Sequence, residues 1–235
     1  MRIWFALVLA PLLVLLPLGG TATAAKSGFG GHWHLDEKNG TTAHDATGNG
    51  NQGVNHHTVG DGSGYGFNGK NARVIVPSSN SLNPGGSDFS FGVTLKMTKP
   101  PSKVGETYDV LRKGLASTKG GDYKLEIKNV KGKAVARCVV KSVRDNGRRV
   151  NANIQGLRKR DLADGKAHTL TCTKTASGIS LKVDSLKLRS KTYAAGLGTV
   201  SNNKDLALGA KAESSAKSGF DWYNGVLNDA WVKAS

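Results

Sequence analysis

Residues 89–97 read Phe-Ser-Phe-Gly-Val-Thr-Leu-Lys-Met, and this stretch decides the fold class. Apolar side chains occupy every second position from Phe89 to Met97, and small or polar residues stand between them. Side chains alternate between the two faces of a β-strand, so this spacing predicts a strand that buries one face. Residues 123–127 and 179–183 repeat the pattern, and no convincing run has the spacing of an amphipathic helix. The sequence therefore predicts an all-β protein.

Short turn signals separate the predicted strands. Asn68-Gly69, Asn146-Gly147 and Asp164-Gly165 are typical of tight hairpin turns. About a dozen short strands at this spacing predict an antiparallel β-sandwich or jelly roll. The length of 235 residues suits one such sandwich, and no repeat or linker divides the chain. We therefore expect one domain over residues 26–235.

The first 25 residues differ from the rest of the chain. Arg2 precedes an apolar run over residues 3–18, and small residues follow at 22–24. This order predicts a secretory signal peptide over residues 1–25, and hence a secreted protein. A membrane anchor is the alternative, but two prolines interrupt a run already short for a span. No other stretch approaches the ~20 apolar residues of a membrane helix, so we expect no membrane span.

Two cysteines, Cys138 and Cys172, lie in strand-like segments 34 positions apart. An even cysteine count in a secreted chain favours a disulfide between them. A free buried pair or a metal site is the alternative. The absence of nearby ligands at metal-site spacing disfavours the metal.

Five segments stand in order over nearly the whole chain beyond residue 25. They are 32–37 (His-Trp-His-Leu-Asp-Glu, followed by Gly40, Asp45, 48–51 and Gly53), 65–69 (Tyr-Gly-Phe-Asn-Gly, followed by 74–77), 88–91 (Asp-Phe-Ser-Phe), 164–170 (Asp-Gly-Lys-Ala-His-Thr-Leu, followed by 181–184) and 223–232 (Tyr-Asn-Gly-Val-Leu-Asn-Asp-Ala-Trp-Val). Together they resemble the laminin G-like, concanavalin A-type lectin/glucanase superfamily, and the resemblance implies a concanavalin A-like antiparallel β-sandwich. Three positions depart from the pattern of that superfamily, namely Ala167, Ser185 and Asn228.

The same resemblance implies a secreted, non-catalytic module that binds extracellular carbohydrate or an anionic cell-surface polymer. A polysaccharide hydrolase or lyase on the same fold is one alternative. A protein-interaction module that uses its rim loops is the other.

The resemblance also implies a structural Ca²⁺ site, although no cofactor is required. The matching positions are Asn228 and Asp229, with Asp36 and Asp45 as partners. Ca²⁺ needs six to eight hard oxygen ligands, and an amide at Asn228 in place of a carboxylate weakens the site. The alternative is a set of Asp-rich turns with no ion.

Histidines cluster near the start of the predicted domain, where His32 and His34 flank Trp33. On a strand the two imidazoles share one face, and Trp33 takes the other. This arrangement suits a surface site for a transition metal, and it equally suits a solvated strand face beside a polar loop.

Catalytic signals are weak. Retaining hydrolysis needs two carboxylates about 5 Å apart, and none of the four glutamates stands two residues from another carboxylate along the chain. A nucleophile motif of the form G-x-S-x-G is also missing from the sequence. The alternative is an enzyme in which folding brings together two carboxylates that are distant in the sequence.

The formal net charge is +16, and much of it is local. Residues 131–160 contain ten Lys and Arg residues, and Asp145 alone opposes them. A focused basic face attracts polyanions, whereas a charged strand edge also prevents aggregation. Nucleic acid would bind such a face only through phosphate contacts, without sequence specificity. The candidate anion-binding residues are Arg144, Arg148, Arg149, Arg158 and Arg160.

Aromatic residues supply the candidate stacking contacts for a sugar, since a ring face covers apolar ligand surface. The partner predicted from these features is an extracellular glycan or anionic polymer, with a protein partner as the alternative, and we expect a monomer. The four candidate stacking residues are Tyr108, Tyr123, Trp222 and Tyr223.

Overall fold

The structure is a computed structural model that describes residue 1, residues 28–38, 40–213 and 220–235. Apart from Met1, the predicted signal peptide over residues 1–25 lies outside the described residues. The described residues include no helix long and apolar enough to cross a membrane.

Sixteen strands and one short 3₁₀ turn (Asn80–Leu82) make up the described regular structure. The strands are β1 (Gly30–Trp33), β2 (Thr42–Ala43), β3 (Gly53–His56), β4 (Val59–Gly60), β5 (Tyr65–Asn68), β6 (Arg73–Val76), β7 (Phe89–Lys96), β8 (Thr107–Lys113), β9 (Asp122–Val130), β10 (Lys133–Val143), β11 (Arg149–Gln155), β12 (Ala167–Lys174), β13 (Gly178–Val183), β14 (Leu186–Thr192), β15 (Leu206–Leu208) and β16 (Asn224–Ala234).

The strands form two antiparallel sheets of eight strands each. Sheet one has the order β14-β13-β12-β7-β16-β5-β4, and β1 pairs with β16 beside this path. Sheet two has the order β11-β10-β9-β8-β15-β6-β3-β2. The predicted all-β antiparallel sandwich is confirmed.

Strand β7 lies in the middle of sheet one, between β12 and β16. Its alternating residues Phe89, Phe91, Val93 and Leu95 are all fully buried. The ring of Phe91 packs 5.0 Å from the ring of Tyr123 on β9 of sheet two. The alternation seen in the sequence is therefore the inner face of one sheet packed on the other.

The predicted disulfide joins Cys138 to Cys172. Cys138 lies on β10 of sheet two and Cys172 on β12 of sheet one, so the bond crosses the core between the sheets. The Cα atoms are 5.7 Å apart, within the usual range for a disulfide.

The Asn146-Gly147 turn joins β10 and β11 as predicted. The backbone N–H of Arg144 donates to the carbonyl of Arg148 over 3.0 Å, and Gly147 has φ +76°. That φ is open to glycine at little cost, which is why this dipeptide suits the turn.

His168, at the start of β12, ties two turns together. Its Nδ1 lies 3.1 Å from the carboxylate of Asp184, and its Nε2 lies 3.0 Å from that of Asp164. Burial alone would lower the pKa of His168, but these two carboxylates outweigh burial and raise the pKa above its ordinary value. The imidazolium can donate to both carboxylates at once, so His168 has a structural role here.

Replacement of His168 by glutamine is expected to lower the free energy of unfolding by about 1 kcal/mol at pH 5.5 and by less at pH 8. A raised folded-state pKa gives stability that is complete below the unfolded pKa, near 6.5, and is lost as the pH rises through the folded pKa. Urea unfolding at both pH values measures the difference. His44→Gln, at an exposed histidine, is the control. An equal loss at both pH values would contradict the ionic role of His168.

Candidate functional site

Two of the predicted stacking aromatics, Tyr123 and Tyr223, are fully buried, so the prediction that they contact a ligand is wrong. The hydroxyl of Tyr123 donates to the carbonyl of Leu82 over 3.1 Å, and that of Tyr223 donates to the carbonyl of Lys96 over 2.9 Å. Tyr123 alternates with Leu125 and Ile127 on β9 and therefore faces the core with them.

The other two aromatics, Tyr108 and Trp222, are partly exposed and line a cleft of about 490 Å³. The guanidinium of Arg73 lies over one face of the Trp222 ring, 5.9 Å from the ring centre. Phe220 also lines the cleft and is 65% exposed. Phe220 is not predictable from the sequence, because nothing in the local pattern distinguishes an exposed ring from a core ring.

Two carboxyl groups whose pKa values shift in opposite directions also line this cleft. Glu106 accepts hydrogen bonds from the Ser102 hydroxyl and the Lys103 backbone N–H, and these hold the pKa of Glu106 below its usual range. Burial, followed by the nearby charge of Asp109, raises the pKa of Asp221. Aromatic faces beside fixed polar groups are the usual lining of a small-ligand cleft.

A charged network covers the outer face of sheet two. Asp109 on β8 and Glu126 on β9 are direct cross-strand partners, and both are almost fully buried. Asp109 pairs with Arg112, Glu126 pairs with Arg137 over 2.7 Å, and Lys124 contacts both carboxylates. Because each carboxylate is neutralised by cations and closed off from solvent, this pair does not have the form that glycoside hydrolysis needs.

Three cations of the basic segment 131–160 form ion pairs with carboxylates. Arg137 belongs to the network on sheet two, Lys133 pairs with Asp161 over 3.0 Å, and Lys141 lies 3.8 Å from Asp122. Burial raises the pKa of Asp122, and Lys141 is the first of the cations that oppose this rise. These three cations serve the fold rather than a ligand.

The hairpin arginines diverge instead of converging. Nε and Nη2 of Arg144 donate to the carbonyl of Gly196 over 3.1 and 2.8 Å, whereas Nη2 of Arg149 donates to the carbonyl of Thr118 over 2.9 Å. Arg148 is exposed. The structure therefore places the three at one hairpin, as predicted, but anchors two of them on different loops.

Arg158 and Arg160 follow β11 and lie at its opposite end. The seven residues of β11 separate them from the hairpin by about 20 Å. The prediction that segment 131–160 forms one focused patch is therefore wrong, because a β-ribbon sends its turn and its open end in opposite directions.

Strand β14 carries further cations and lies beside β11 at one edge of the molecule. Strands β14 and β11 are the edge strands of the two sheets, and they contact one another, with Leu188 against Gly156. All the cations along this edge are exposed, and none of them forms an ion pair with a described carboxylate. We call this surface the basic edge, and it consists of Arg148, Arg158, Lys159, Arg160, Lys187, Arg189 and Lys191.

The predicted calcium set is not assembled. Asp45 accepts hydrogen bonds from the backbone N–H groups of His32, Thr47 and Asn51, at 3.1, 3.0 and 2.9 Å. Burial raises the pKa of Asp45, but these bonds outweigh it and leave the pKa below the usual range. The carboxylate oxygens are therefore committed to the loop, and the residues do not fit a Ca²⁺ site.

Asp36 and Asn228 are exposed, and neither joins Asp229 in a cluster of ligand atoms. Within the described ranges, a single group of three metal-ligating side chains is found, and it joins Asp229 to His32 and His34.

The sequence matches no family model and no curated protein. Among solved structures, the binding domain of Paraclostridial Mosquitocidal Protein 1 is 16% identical over 87% of this chain and 49% of that chain, with a TM-score of 0.63. The botulinum neurotoxin serotype D ligand binding domain in complex with N-acetylneuraminic acid is 12% identical over 87% of this chain and 47% of that chain, with a TM-score of 0.60.

Domains LG4-5 of the mouse laminin alpha1 chain match less closely, with 13% identity over 73% of this chain and 40% of that chain and a TM-score of 0.48. The chain spans about half the length of the first two solved structures. At these identities the likeness shows the shared β-sandwich fold, and membership of the laminin G-like superfamily stays a prediction.

Proposed function

We propose that this chain is a secreted, monomeric, non-catalytic binding module, and that its basic edge holds an acidic extracellular polysaccharide. The observation that carries the proposal is the row of exposed cations along the basic edge, none of them paired with a described carboxylate. Three of these cations lie on the edge strand β14, and the other four flank the two ends of the edge strand β11. A linear polyanion can contact such a row at many points, whereas a compact anion cannot.

The chemistry of the basic edge suits sulfate or carboxylate groups. Arginine presents a planar fork of donors that matches both groups, and lysine adds mobile charge. Each exposed contact is weak, so affinity must come from the number of contacts along the polymer. The similar neurotoxin domain in complex with N-acetylneuraminic acid, an acidic sugar, supports a binding role for this fold.

The test is a five-site variant in which Arg158, Lys159, Arg160, Lys187 and Arg189 become glutamine. Binding to a sulfated and to a uronic acid polysaccharide is measured by calorimetry at low and at high salt. We expect wild-type affinity to fall with salt. The variant is expected to bind about 30-fold more weakly, if each lost contact is worth about 0.4 kcal/mol.

The matched control removes five exposed cations that lie outside the basic edge. An equal loss of affinity in this control would mean that net charge, and not the edge, holds the polymer. The control substitutions to glutamine are at Lys38, Lys103, Lys119, Lys166 and Lys233.

The cleft offers a second candidate function, the binding of a neutral sugar. Three aromatic rings line it, those of Tyr108, Phe220 and Trp222. Binding that persists at high salt, survives in the five-site variant and is lost in Trp222→Ala would place the ligand in the cleft instead.

A further inference from the structure

Three metal-ligating side chains meet on the outer face of sheet one, away from the basic edge. Nε2 of His32 lies 2.8 Å from Oδ1 of Asp229, and Nδ1 of His34 lies 3.5 Å from the same oxygen. All three ligand atoms lie within 4.8 Å of one another. We propose that His32, His34 and Asp229 bind a divalent transition metal of the Zn²⁺ class.

The strand pairing explains why the two histidines face outward. Trp33 is fully buried, and its indole N–H donates to the carbonyl of Asn51 over 2.7 Å. Side chains alternate along β1, so His32 points to the opposite face, and His34, the residue after the strand, is exposed between buried Trp33 and Leu35. The ladder ends at the pair Trp33–Ala230, and the residues next to that pair are His34 and Asp229.

A β-bulge in β16 keeps Leu227 in the core beside the outward-facing Asp229. Asp229 stands two residues before Trp231, which pairs with His32, so alternation along β16 places Asp229 on the face of the histidines. The register of β16 against β7 shifts between Leu227 and Asp229, so Asn228 is the extra residue. This extra residue allows Leu227 and Ala230, three positions apart, both to be buried.

The distances are close to those of a metal site. Ligand atoms about 2.0–2.1 Å from a tetrahedral Zn²⁺ stand about 3.3 Å apart. The two distances to Oδ1 of Asp229, 2.8 and 3.5 Å, lie on either side of this value. The His32 and His34 rings also lie close to one another, with centres 4.3 Å apart.

The donor set selects the metal. Two imidazoles and one carboxylate suit Zn²⁺, Ni²⁺, Co²⁺ and Cu²⁺, whereas Ca²⁺ and Mg²⁺ prefer oxygen ligands. Three protein ligands leave a tetrahedral ion one open position. A cleft of about 400 Å³ adjoins the site, and His32 and Asp229 help to line it. Trp231 also lines this cleft, and its buried indole N–H has no partner among the described residues. An exogenous ligand has room to reach the ion from this side.

The experiment is calorimetric titration of chelator-treated, full-length mature protein with ZnCl₂ and, separately, CaCl₂. We expect one Zn²⁺ per chain and no heat from Ca²⁺. His34→Ala and Asp229→Asn should each weaken Zn²⁺ binding by about 100-fold or more, beyond the 10–100-fold loss typical of an outer-shell partner. His44→Ala, which removes another exposed histidine, should bind as the wild type does.

A second readout separates metal binding from folding. Zn²⁺ should raise the Tm of the wild type and of His44→Ala, and Co²⁺ should give the visible absorption of a tetrahedral ion. Asp229→Asn keeps the side-chain shape, so circular dichroism should match the wild type. Absence of Zn²⁺ binding by the wild type, tighter binding of Ca²⁺, or Zn²⁺ binding unchanged in Asp229→Asn would each overturn the proposal.

Discussion

Replacement of both Cys138 and Cys172 by alanine is expected to lower the free energy of unfolding by about 3–4 kcal/mol. The bond closes a loop of 34 residues, and in the chain-entropy model a loop of this length is worth about that much. For a chain of this size the loss corresponds to a fall in Tm of about 10 °C. The effect is large because loss of the bond returns the conformational freedom of this loop to the unfolded chain.

Urea unfolding of the oxidised wild type, the reduced wild type and the double-alanine variant measures this effect. Reduction keeps both sulfur atoms in the core, so the reduced protein isolates the cross-link from any change in packing. We expect the reduced wild type to lie close to the variant. Equal stability of the oxidised and reduced wild type would show that the bond contributes nothing.

Replacement of Arg112 by methionine is expected to lower the free energy of unfolding by about 3–5 kcal/mol at pH 7, the usual effect of breaking a buried ion pair. Arg112 is 2% exposed and pairs with the fully buried carboxylate of Asp109. Without the guanidinium, the contact with Lys124 at 3.5 Å is the one ion pair left to that carboxylate among the described residues. It also faces Asp221, whose pKa is raised by burial and then by the charge of Asp109.

Urea unfolding at pH 7 measures the destabilisation by Arg112→Met. Arg148→Met, at an exposed arginine outside the network, should cost less than about 0.5 kcal/mol. Adding Asp109→Asn to Arg112→Met should restore part of the loss, and a further loss of similar size would contradict the pairing.

The local sequence pattern determined which face each strand buries. This holds even for Tyr123, one of the candidate ligand contacts. Residues 89–97 place every second side chain in the core, and the structure confirms it. Residues 123–127 carry the same alternation, which puts Tyr123 on the face of Leu125 and Ile127. The local alternation therefore predicts that Tyr123 faces the core and does not contact a sugar.

Turns and the cross-link also followed from the sequence. Asn146-Gly147 makes the hairpin because glycine tolerates the positive φ. Cys138 and Cys172 pair because the sequence contains no other cysteine. The turn depends on residues a few positions apart, and the disulfide depends on the number of cysteines. Neither feature requires knowledge of the packing.

Only the tertiary structure decided what surfaces the strands create together. The basic edge needs β14 beside β11, and the metal-ligating group needs His34 of the β1 region opposite Asp229 of β16, 195 positions along the chain. The pairing of Trp231 with His32 sets the face on which Asp229 stands, two residues earlier on β16. Period-two alternation assigns a side chain to one of two faces, but sheet order and register arise from non-local pairing. For that reason the sequence determined the sandwich and its core, and the pairing of distant strands determined the candidate sites.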